Sequence, residues 1–408
     1  MSRWVRLSAA MVAMVMIGNL QYAWTLFVQP MIVGTGWTLS EVQWGFTFFI
    51  ATMTWTMPLS GWLIDRLGPR VFMTIAGLLC AIGWGALGQA RSLTEFYSLY
   101  AVAGLGNAFV YCCSIAIALK WFPDRRGLAS GLIAAAYGSG AALFIPLFSY
   151  LIRVTDYRVT LAYTGVGLGA LIIAAGQFLQ NPPADFTASV PSPARPQVRR
   201  QTEDFNTWEM LKSPQFYVLY AMMLMIGIGG LMATAQVAPV ARDFQIGALA
   251  LTIALSLNPI GNGVGRIFWG WASDRMGRER TMFLAFFLQS LFLVSVVTIG
   301  RWGDAWFVIT MVLVFLTWGE LYVLFPAVLT DFFGARHAAS NYSMLYSTKG
   351  VTSILAGGLA ARLFESTGTW DYAFYGSAVL ALLSALGALG LRRMPLPSKQ
   401  AQVRVAAR

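Results

Sequence analysis

Long apolar runs separated by short polar segments extend along the chain from about residue 7 to residue 391. A helix needs about 20 mostly apolar residues to cross a bilayer. The pattern predicts an all-α membrane protein with twelve transmembrane helices, at 7–33, 41–64, 71–90, 96–120, 128–152, 159–180, 216–240, 246–273, 281–299, 305–332, 341–364 and 372–391. The long polar interruption predicts two six-helix halves, 1–180 and 216–393, with a flexible linker at 181–215 and a tail at 394–408.

Composition supports the membrane assignment. Hydrophobic residues make up 57% of the chain and charged residues 11%, whereas a soluble domain carries about 25% charged residues. The first apolar run continues to about Val33 without a small-residue cleavage site, so it predicts a membrane helix rather than a signal peptide. Cys80, Cys112 and Cys113 lie inside apolar runs, which predicts a packing role rather than a metal site.

The positive charges alternate between loops. Of the 28 Lys and Arg residues, 20 lie in the termini, the linker and the loops on one side, six lie in the opposite loops, and two lie inside membrane segments. This bias places both termini in the cytoplasm and argues against nucleic-acid binding despite the net charge of +11. We expect a monomer in the lipid bilayer of a bacterial inner membrane, that is, a plasma-membrane protein.

The two halves repeat a motif. GWLIDRLGPR (61–70) and GWASDRMGRER (270–280) follow the second helix of each half at an offset of 209 residues. This duplicated pattern resembles the major facilitator superfamily over the whole chain. The resemblance implies that the motif forms a cytoplasmic latch that balances outward and inward states. Its members here are Gly61, Asp65, Arg66, Gly270, Asp274 and Arg275.

Two cationic residues lie inside predicted membrane spans, where burying a charge costs free energy. Arg266 is eight residues before Asp274, about 12 Å of helix. Lys349 is 13 residues from both Arg336 and Arg362, about 20 Å from each. A cation inside the membrane costs several kcal/mol, which favours a functional role over an internal ion pair.

Polar and aromatic residues on other helices are predicted to surround these cations. Asn262 shares a helix face with Arg266, and Tyr346 precedes Lys349 by one turn. The predicted cavity is completed by Gln21, Tyr22, Tyr111, Tyr137, Trp318 and Tyr322. Two cations, hydroxyl donors and water-excluding aromatic walls favour a small carboxylate as substrate.

A finer resemblance agrees with this chemistry. WFPDRRGLASG (121–131), TWGELYVLFP (317–326) and the combination of Arg266 with Lys349 resemble the bacterial oxalate/formate antiporter branch, which neighbours the monocarboxylate porters. The resemblance implies that both cations bind substrate carboxylates. This chain departs from the branch at Tyr346, where the branch has Trp, and at Glu320, where it has Gly.

The net charge of the predicted site depends on the role of Glu320. It lies about 16 Å of helix from Asp331 and points away from Trp318 on an ideal helix. It is a protonated structural residue, a partner that leaves the site at net +1, or a proton-coupling group.

The function predicted from these residues is a secondary active transporter for small organic anions such as oxalate, formate, lactate or pyruvate. It would work by alternating access, as an exchanger or a proton symporter. The rivals are a carrier for a larger or neutral solute, such as a vitamin or drug, and a non-transporting sensor on the same scaffold. We expect no enzyme activity, cofactor or metal, because no nucleophile, base or metal cluster emerges and His337 is the single histidine.

Overall fold

A computed structural model of the protein describes residues 2–122, 126–183, 203–334 and 337–399. The described chain is built from α-helices joined by short turns. The N-terminal half, as we use the term, consists of α1 (Arg3–Tyr22), α2 (Thr25–Thr35), α3 (Leu39–Gly85), α4 (Leu93–Trp121), α5 (Arg126–Ser139), α6 (Ile145–Val154) and α7 (Tyr157–Gly176). The C-terminal half consists of α8 (Thr207–Leu211), α9 (Pro214–Asp243), α10 (Ala248–Met276), α11 (Arg278–Thr298), α12 (Asp304–Trp318), α13 (Leu321–Phe333), α14 (Ala338–Tyr346), α15 (Thr348–Ile354), α16 (Ala360–Thr367) and α17 (Asp371–Arg393).

The apolar runs become the helices that the sequence predicts. Ten segments of the described chain are long and apolar enough to cross a membrane. The second predicted span, 41–64, forms the first part of α3, which the non-helical Gly68 divides into two helical parts. The eleventh, 341–364, is a series of short pieces, α14, α15, a π-helical turn at Leu355–Leu359 and α16. All twelve predicted spans therefore fall on helical segments.

Two glycines reverse the chain at equivalent places in the repeated motif. Gly68 has φ 72° and ψ 157°, and Gly277, 209 residues later, has φ 89° and ψ 154°. Residues with a β-carbon rarely adopt positive φ, so glycine is required at both reversals. The repeat seen in the sequence is thus also a repeat of backbone conformation.

The predicted latch lies largely outside the described side chains. Gly61 and the side chains of Asp65, Arg66 and Asp274 are among the residues not described, as are linker residues 184–202 and tail residues 400–408. Gly270 faces Val323, whose Cγ1 would be 3.2 Å from an added β-carbon. The Arg275 guanidinium lies 4.3 Å from the centroid of the Trp271 ring. The latch role stays a prediction.

Four of the predicted spans are interrupted rather than continuous. Span 7–33 breaks between α1 and α2, and span 128–152 breaks at a 3-10 turn, Gly140–Leu143. Span 305–332 breaks between α12 and α13, and span 341–364 breaks after Tyr346 and again at the π-helical turn. Interrupted helices in carriers surround the substrate site, because freed backbone groups are tolerated where they line a buried cavity.

The helices carry apolar side chains outside and polar ones inside. On α10, Val264 and Ile267 are exposed, whereas Asn258, Asn262 and Arg266 are buried on the opposite face. Such a surface requires an apolar solvent, since apolar side chains face the bilayer in a membrane protein while polar groups face the bundle interior. The buried polar face of α10 points toward α5, a helix of the other half.

Candidate substrate-binding site

Lys349 on α15 is buried at the contact between the two halves. Its Nζ donates to Gln21 Oε1 at 3.0 Å and lies 3.4 Å from Tyr346 Oη. Gln21 Oε1 also accepts a 2.8 Å hydrogen bond from Tyr137 Oη. Because Lys349 has only donors, the contact identifies the amide oxygen of Gln21 and turns its Nε2 elsewhere.

Arg266 on α10 also reaches across to the N-terminal half. Its Nη1 donates to the backbone oxygen of Ala134 on α5 at 2.6 Å. Its guanidinium lies over the Tyr322 ring, with Cζ 4.7 Å from the centroid. A β-carbon on Gly138 would lie 3.4 Å from Cζ, so the glycine gives the guanidinium its space. Both cations therefore belong to one half and use acceptors of the other.

The two charges share one aromatic ring. Lys349 Nζ lies 5.7 Å from the Tyr322 centroid and Arg266 Cζ lies 4.7 Å from it, so they are at most about 10 Å apart. A cation over an aromatic face gains about 0.5–2 kcal/mol. That gain is small against the cost of holding two like charges in a buried site, which therefore attracts an anion.

Aromatic rings from both halves form the walls. Tyr22 Oη lies 3.5 Å from Asn262 Oδ1, and its ring centroid is 6.5 Å from that of Trp318. Tyr111 is edge-on to Tyr137 at 5.4 Å. The structure thus brings the ten predicted binding residues into one cluster, in which Tyr322 is partly buried and the others are buried: Gln21, Tyr22, Tyr111, Tyr137, Asn262, Arg266, Trp318, Tyr322, Tyr346 and Lys349.

Four buried N–H donors in this cluster have no acceptor within the described part of the protein. They are Gln21 Nε2, Asn262 Nδ2, Arg266 Nε and Trp318 Nε1. A buried donor without an acceptor costs about 1–3 kcal/mol. A set composed of donors and cations fits a ligand made of acceptors, and a carboxylate is such a ligand.

Glu320 lies beside the cluster without joining it. It occupies the break between α12 and α13, is fully buried, and both carboxyl oxygens lack a hydrogen-bond partner among the described residues. The hydrogen bonds of Arg266 and Lys349 go to Ala134, Gln21 and Tyr346 instead. The interpretation that Glu320 pairs with a site cation is not seen in this conformation.

The site is nearly filled by its own side chains. The cavity beside Lys349, which Trp318 and Tyr322 also line, measures about 10 Å³, the space of one water. A larger cleft of about 1060 Å³ opens at one end of the bundle, between α2 and α9. We call this the cleft end and the opposite end, which carries α8, the linker end. Arg242 and Asp243 line the cleft, but neither site cation does.

Neutral amides separate the cleft from the site. Gln43 on α3 donates through Nε2 to the Ala235 backbone oxygen at 2.8 Å and to Gln236 Oε1 at 3.0 Å. Its own Oε1 accepts from Trp24 Nε1 at 3.2 Å. Gln236 in turn donates to the Gly357 backbone oxygen in the π-helical turn. We call this buried network, in which Gln43 joins the two halves, the amide seam.

Sequence reasoning missed several members of the site. The carbonyl of Ala134 and the sulfur of Met53, which is 3.9 Å from Lys349 Nζ, gave no signal in the sequence. The Tyr342 ring packs 5.6 Å from Tyr346 and lies four residues before it, so helical spacing could have found it. The amide seam was not predicted either, because a single glutamine in an apolar run carries no distinctive pattern.

Comparisons with known proteins agree with the fold and show the family. The chain matches the Major Facilitator Superfamily family over residues 9–238 and 219–407. It is 36% identical to the oxalate:formate antiporter of Oxalobacter formigenes, over 98% of this chain and 94% of that protein. It is 24% identical to the apicoplast pyruvate carrier 1 of Toxoplasma gondii, over 88% of this chain and 75% of that one.

Two further proteins are similar to this chain, one in sequence and one in fold. Monocarboxylate transporter 12-B of Danio rerio is 24% identical over 86% of this chain and 78% of its own length. A crystal structure of the peptide transporter POT, a point mutant in complex with sulfate, superposes with a TM-score of 0.72. It covers 95% of this chain and 94% of the POT chain at 14% identity, a likeness of fold alone.

Proposed function

Because the chain belongs to the major facilitator superfamily, we propose that it is a secondary transporter that moves small carboxylates by alternating access. The carboxylate binds between Arg266 and Lys349, at the contact between the two halves. The named relatives support this substrate class, since they include an oxalate:formate antiporter, a pyruvate carrier and a monocarboxylate transporter.

The observation that carries the proposal is the set of unpaired donors. Four buried N–H groups without an acceptor among the described residues surround two buried cations in one cluster. A carboxylate supplies two oxygens with about four lone-pair positions and one negative charge, and it carries no donor when ionised. A neutral solute such as a sugar would bring hydroxyl donors and leave the two cations uncompensated.

The contacts of the two cations suggest how transport proceeds. In the conformation seen here they use Gln21 and the Ala134 carbonyl, both in the N-terminal half, as acceptors. A carboxylate would replace these acceptors and so release the halves from each other at the site. The empty site with two positive charges resists reorientation through a dry barrier, whereas bound anion removes much of that penalty. Because the anion-bound carrier reorients more easily than the empty one, we expect it to exchange one carboxylate for another.

The test is uptake by proteoliposomes of labelled oxalate, formate, lactate, pyruvate and larger acids, with and without internal anion. We expect exchange of at least one small acid by the wild type and its loss in Arg266→Gln and Lys349→Gln, with insertion retained. Arg91→Gln, at an exposed loop, is the matched control. Full exchange in both site variants would overturn the proposal. Uptake of a vitamin or drug but no small acid would favour the carrier of larger solutes.

The location is proposed on charge alone. The linker end carries most of the Lys and Arg residues, so we place it in the cytoplasm of a bacterial inner membrane, with the protein a monomer and the repeated motif acting as a latch. Single cysteines introduced near Ser2 and at exposed Trp302 would report this orientation through impermeant thiol reagents. Labelling of the Ser2 position from outside intact cells would reverse the assignment.

A further inference from the structure

The small cavity beside Lys349 is formed by the C-terminal half. It measures about 10 Å³, and its lining residues lie on α9, α12, α13 and α15. Three of them, Lys349, Trp318 and Tyr322, also belong to the substrate-binding cluster. Trp318, whose buried Nε1 has no acceptor among the described residues, is thus common to the cavity and the cluster. The cavity therefore adjoins the place where a carboxylate would bind.

Most polar groups on the wall of this cavity are already bonded elsewhere. Thr348 Oγ1 donates to the Leu345 carbonyl at 2.9 Å, and Thr352 Oγ1 donates to the Thr348 carbonyl at 2.7 Å. Lys349 Nζ donates to Gln21 at 3.0 Å. A buried water needs about two to four polar partners, so a cavity of this size with such a wall suits an apolar group better than a water.

The space exists because residue 227 is glycine. Met223, Gly227 and Leu231 recur every four residues, so they share the face of α9 that lines the cavity. A β-carbon on Gly227 would lie 3.4 Å from Thr352 Cγ2 and 3.8 Å from Leu321 Cδ2, which are ordinary van der Waals distances. An alanine at this position would therefore fit without displacing its neighbours, and it would fill the cavity.

Gly230, one turn along α9, is a glycine of a different kind. A β-carbon on Gly230 would overlap the Trp318 ring, so the packing of the helix requires glycine there. Packing makes no such demand at Gly227. A glycine inside a helix is less favourable than an alanine, so the space at Gly227 indicates room kept for a ligand rather than for a neighbouring helix.

We propose that Gly227 makes this cavity a pocket for the methyl group of a short monocarboxylate and so determines which acids the site selects. This rests on the proposed carboxylate transport. The carboxylate group binds between Arg266 and Lys349, and the methyl group at the other end of the acid enters the pocket beside Lys349. The pocket and both cations belong to the same half, so they hold the substrate as one unit while the N-terminal half moves.

The size and the polarity of the pocket determine which acids fit. A methyl group is about as large as a water molecule, which is the space that the cavity offers. Lactate and pyruvate each end in a methyl group and would fill it, whereas a longer chain would meet Met223 and Leu231 on the wall. Oxalate would bring a second carboxylate against apolar side chains and lose part of its hydration there.

The experiment compares acids that differ by one methyl group. Exchange in proteoliposomes is measured against concentration for lactate and glycolate, and for pyruvate and glyoxylate. In the wild type, the methyl-bearing acid of each pair should reach half-saturation at about tenfold lower concentration, since one methylene in a hydrophobic pocket changes binding by about tenfold or more. In Gly227→Ala, the added β-carbon fills the pocket, so the affinity for lactate and pyruvate should fall until each pair differs by less than about twofold.

A second variant tests the pocket from its opposite wall. Thr352→Ser removes the Cγ2 methyl that faces Gly227 and keeps the hydroxyl group. It should admit 2-hydroxybutyrate, which is one carbon longer than lactate, and its failure to do so would overturn the pocket whether or not Gly227→Ala folds. The double variant Gly227→Ala/Thr352→Ser should recover the preference for lactate over glycolate. Gly376→Ala, at an exposed helical glycine where a β-carbon would have no described atom within 4 Å, is the matched control and should change nothing.

The remaining outcomes distinguish the pocket from the carrier itself. Equal half-saturation for both acids of each pair in the wild type would overturn the pocket and leave carboxylate transport intact. An equal loss for every acid in Gly227→Ala would do the same, because a purely structural effect does not depend on the substrate. A preference for lactate that survives in Gly227→Ala would place the methyl group elsewhere. Exchange of oxalate and formate alone would also overturn the pocket, whereas exchange of no small acid would overturn the proposed function.

Discussion

The two halves of the molecule share a backbone plan but divide the chemistry of the site unequally. The N-terminal half contributes neutral groups, namely Gln21, Tyr22, Tyr111 and Tyr137. The C-terminal half contributes both cations, Arg266 and Lys349, together with Trp318 and the buried carboxyl of Glu320. Among the described residues, the same half therefore holds every charge at the site, and the other half supplies acceptors for those charges in this conformation.

One pair of positions makes the contrast concrete. Arg266 precedes Gly270 by four residues, and Met57 precedes Gly61 by four. Each motif then reaches a glycine with the same left-handed backbone, Gly68 at the kink inside α3 and Gly277 at the end of α10. The reversal requires glycine in both halves, whereas the position four residues before the motif accepts an apolar thioether in one half and a guanidinium in the other. The backbone conformation of the motif is therefore the same in the two halves, whereas the side chain that carries the site's charge differs between them.

Moving the cation to the other half should have the largest effect. Arg266→Met should lower carboxylate exchange by about 100-fold or more, since removing one partner of a buried charged contact costs about 3–5 kcal/mol. The double variant Met57→Arg/Arg266→Met restores the charge but on α3, and it should stay inactive because its guanidinium starts from the opposite wall. Exchange in proteoliposomes measures both, and chromatographic homogeneity checks folding. Recovery to within about tenfold of the wild type would show that the half supplying the charge is irrelevant.

The sequence predicts the charged residues of the site better than it predicts the neutral contacts of the site. Apolar spans, the motif repeat and the buried cations are all visible in the sequence, because each costs free energy unless the fold provides for it. The helix breaks after Tyr22 and Trp318 are not visible, since no proline or paired glycine lies at either. The contact of Arg266 with the Ala134 carbonyl is also hidden, because any residue type supplies a backbone oxygen. Predictions from side-chain type therefore found the charged half more completely than the neutral partners.

The amide seam offers a comparison in which both halves contribute alike. Gln43 of the N-terminal half bonds Gln236 of the C-terminal half, and both are fully buried. Gln43→Leu would leave Trp24 Nε1 and the Ala235 carbonyl without these partners, at about 1–3 kcal/mol per group. Hydrogen exchange of α2 and the end of α9 should become about tenfold faster.

Two further variants distinguish a specific effect of the amide seam from a general loss of stability. Gln236→Leu should produce a similar effect, and the double variant should cost less than the sum of the two, because the single changes remove the same contact. Gln29→Leu, in the wall of the cleft, is the control. Strict additivity would mean that the two glutamines act separately and that the seam is not a shared device.

Hydroxyl groups from the two halves should matter to different degrees. Tyr137 Oη donates to Gln21 at 2.8 Å, whereas Tyr346 Oη is a 3.4 Å neighbour of Lys349 within its own half. Tyr137→Phe should weaken carboxylate affinity about fivefold, the value of one net hydrogen bond, and Tyr346→Phe about twofold. Concentration dependence of exchange measures both. A larger loss in Tyr346→Phe would place the important hydroxyl in the charged half and reverse the division proposed here.

The smallest effect concerns linker residues 203–215, which bond to residues of the C-terminal half. Glu209 on α8 accepts the backbone N–H of Asn206 at 2.9 Å and contacts Lys399 Nζ at 3.1 Å, while Asn341 donates to the Phe205 carbonyl at 3.0 Å. The backbone hydrogen bond, with help from Lys399, holds the pKa of Glu209 below its usual value.

A lowered carboxyl pKa contributes stability above the ordinary glutamate value of about 4.3, and that stability is lost as the pH falls through the lowered value. Glu209→Gln should therefore destabilise the linker end by about 0.5 kcal/mol at neutral pH, since the side chain is partly exposed to solvent. The difference between wild type and variant should shrink below about pH 4. Hydrogen exchange of α8 and α14 measures it, with α7 as the internal reference in the other half. An equal response in α7 would show that the linker end couples the two halves, because a contact confined to one half changes the local opening of that half only.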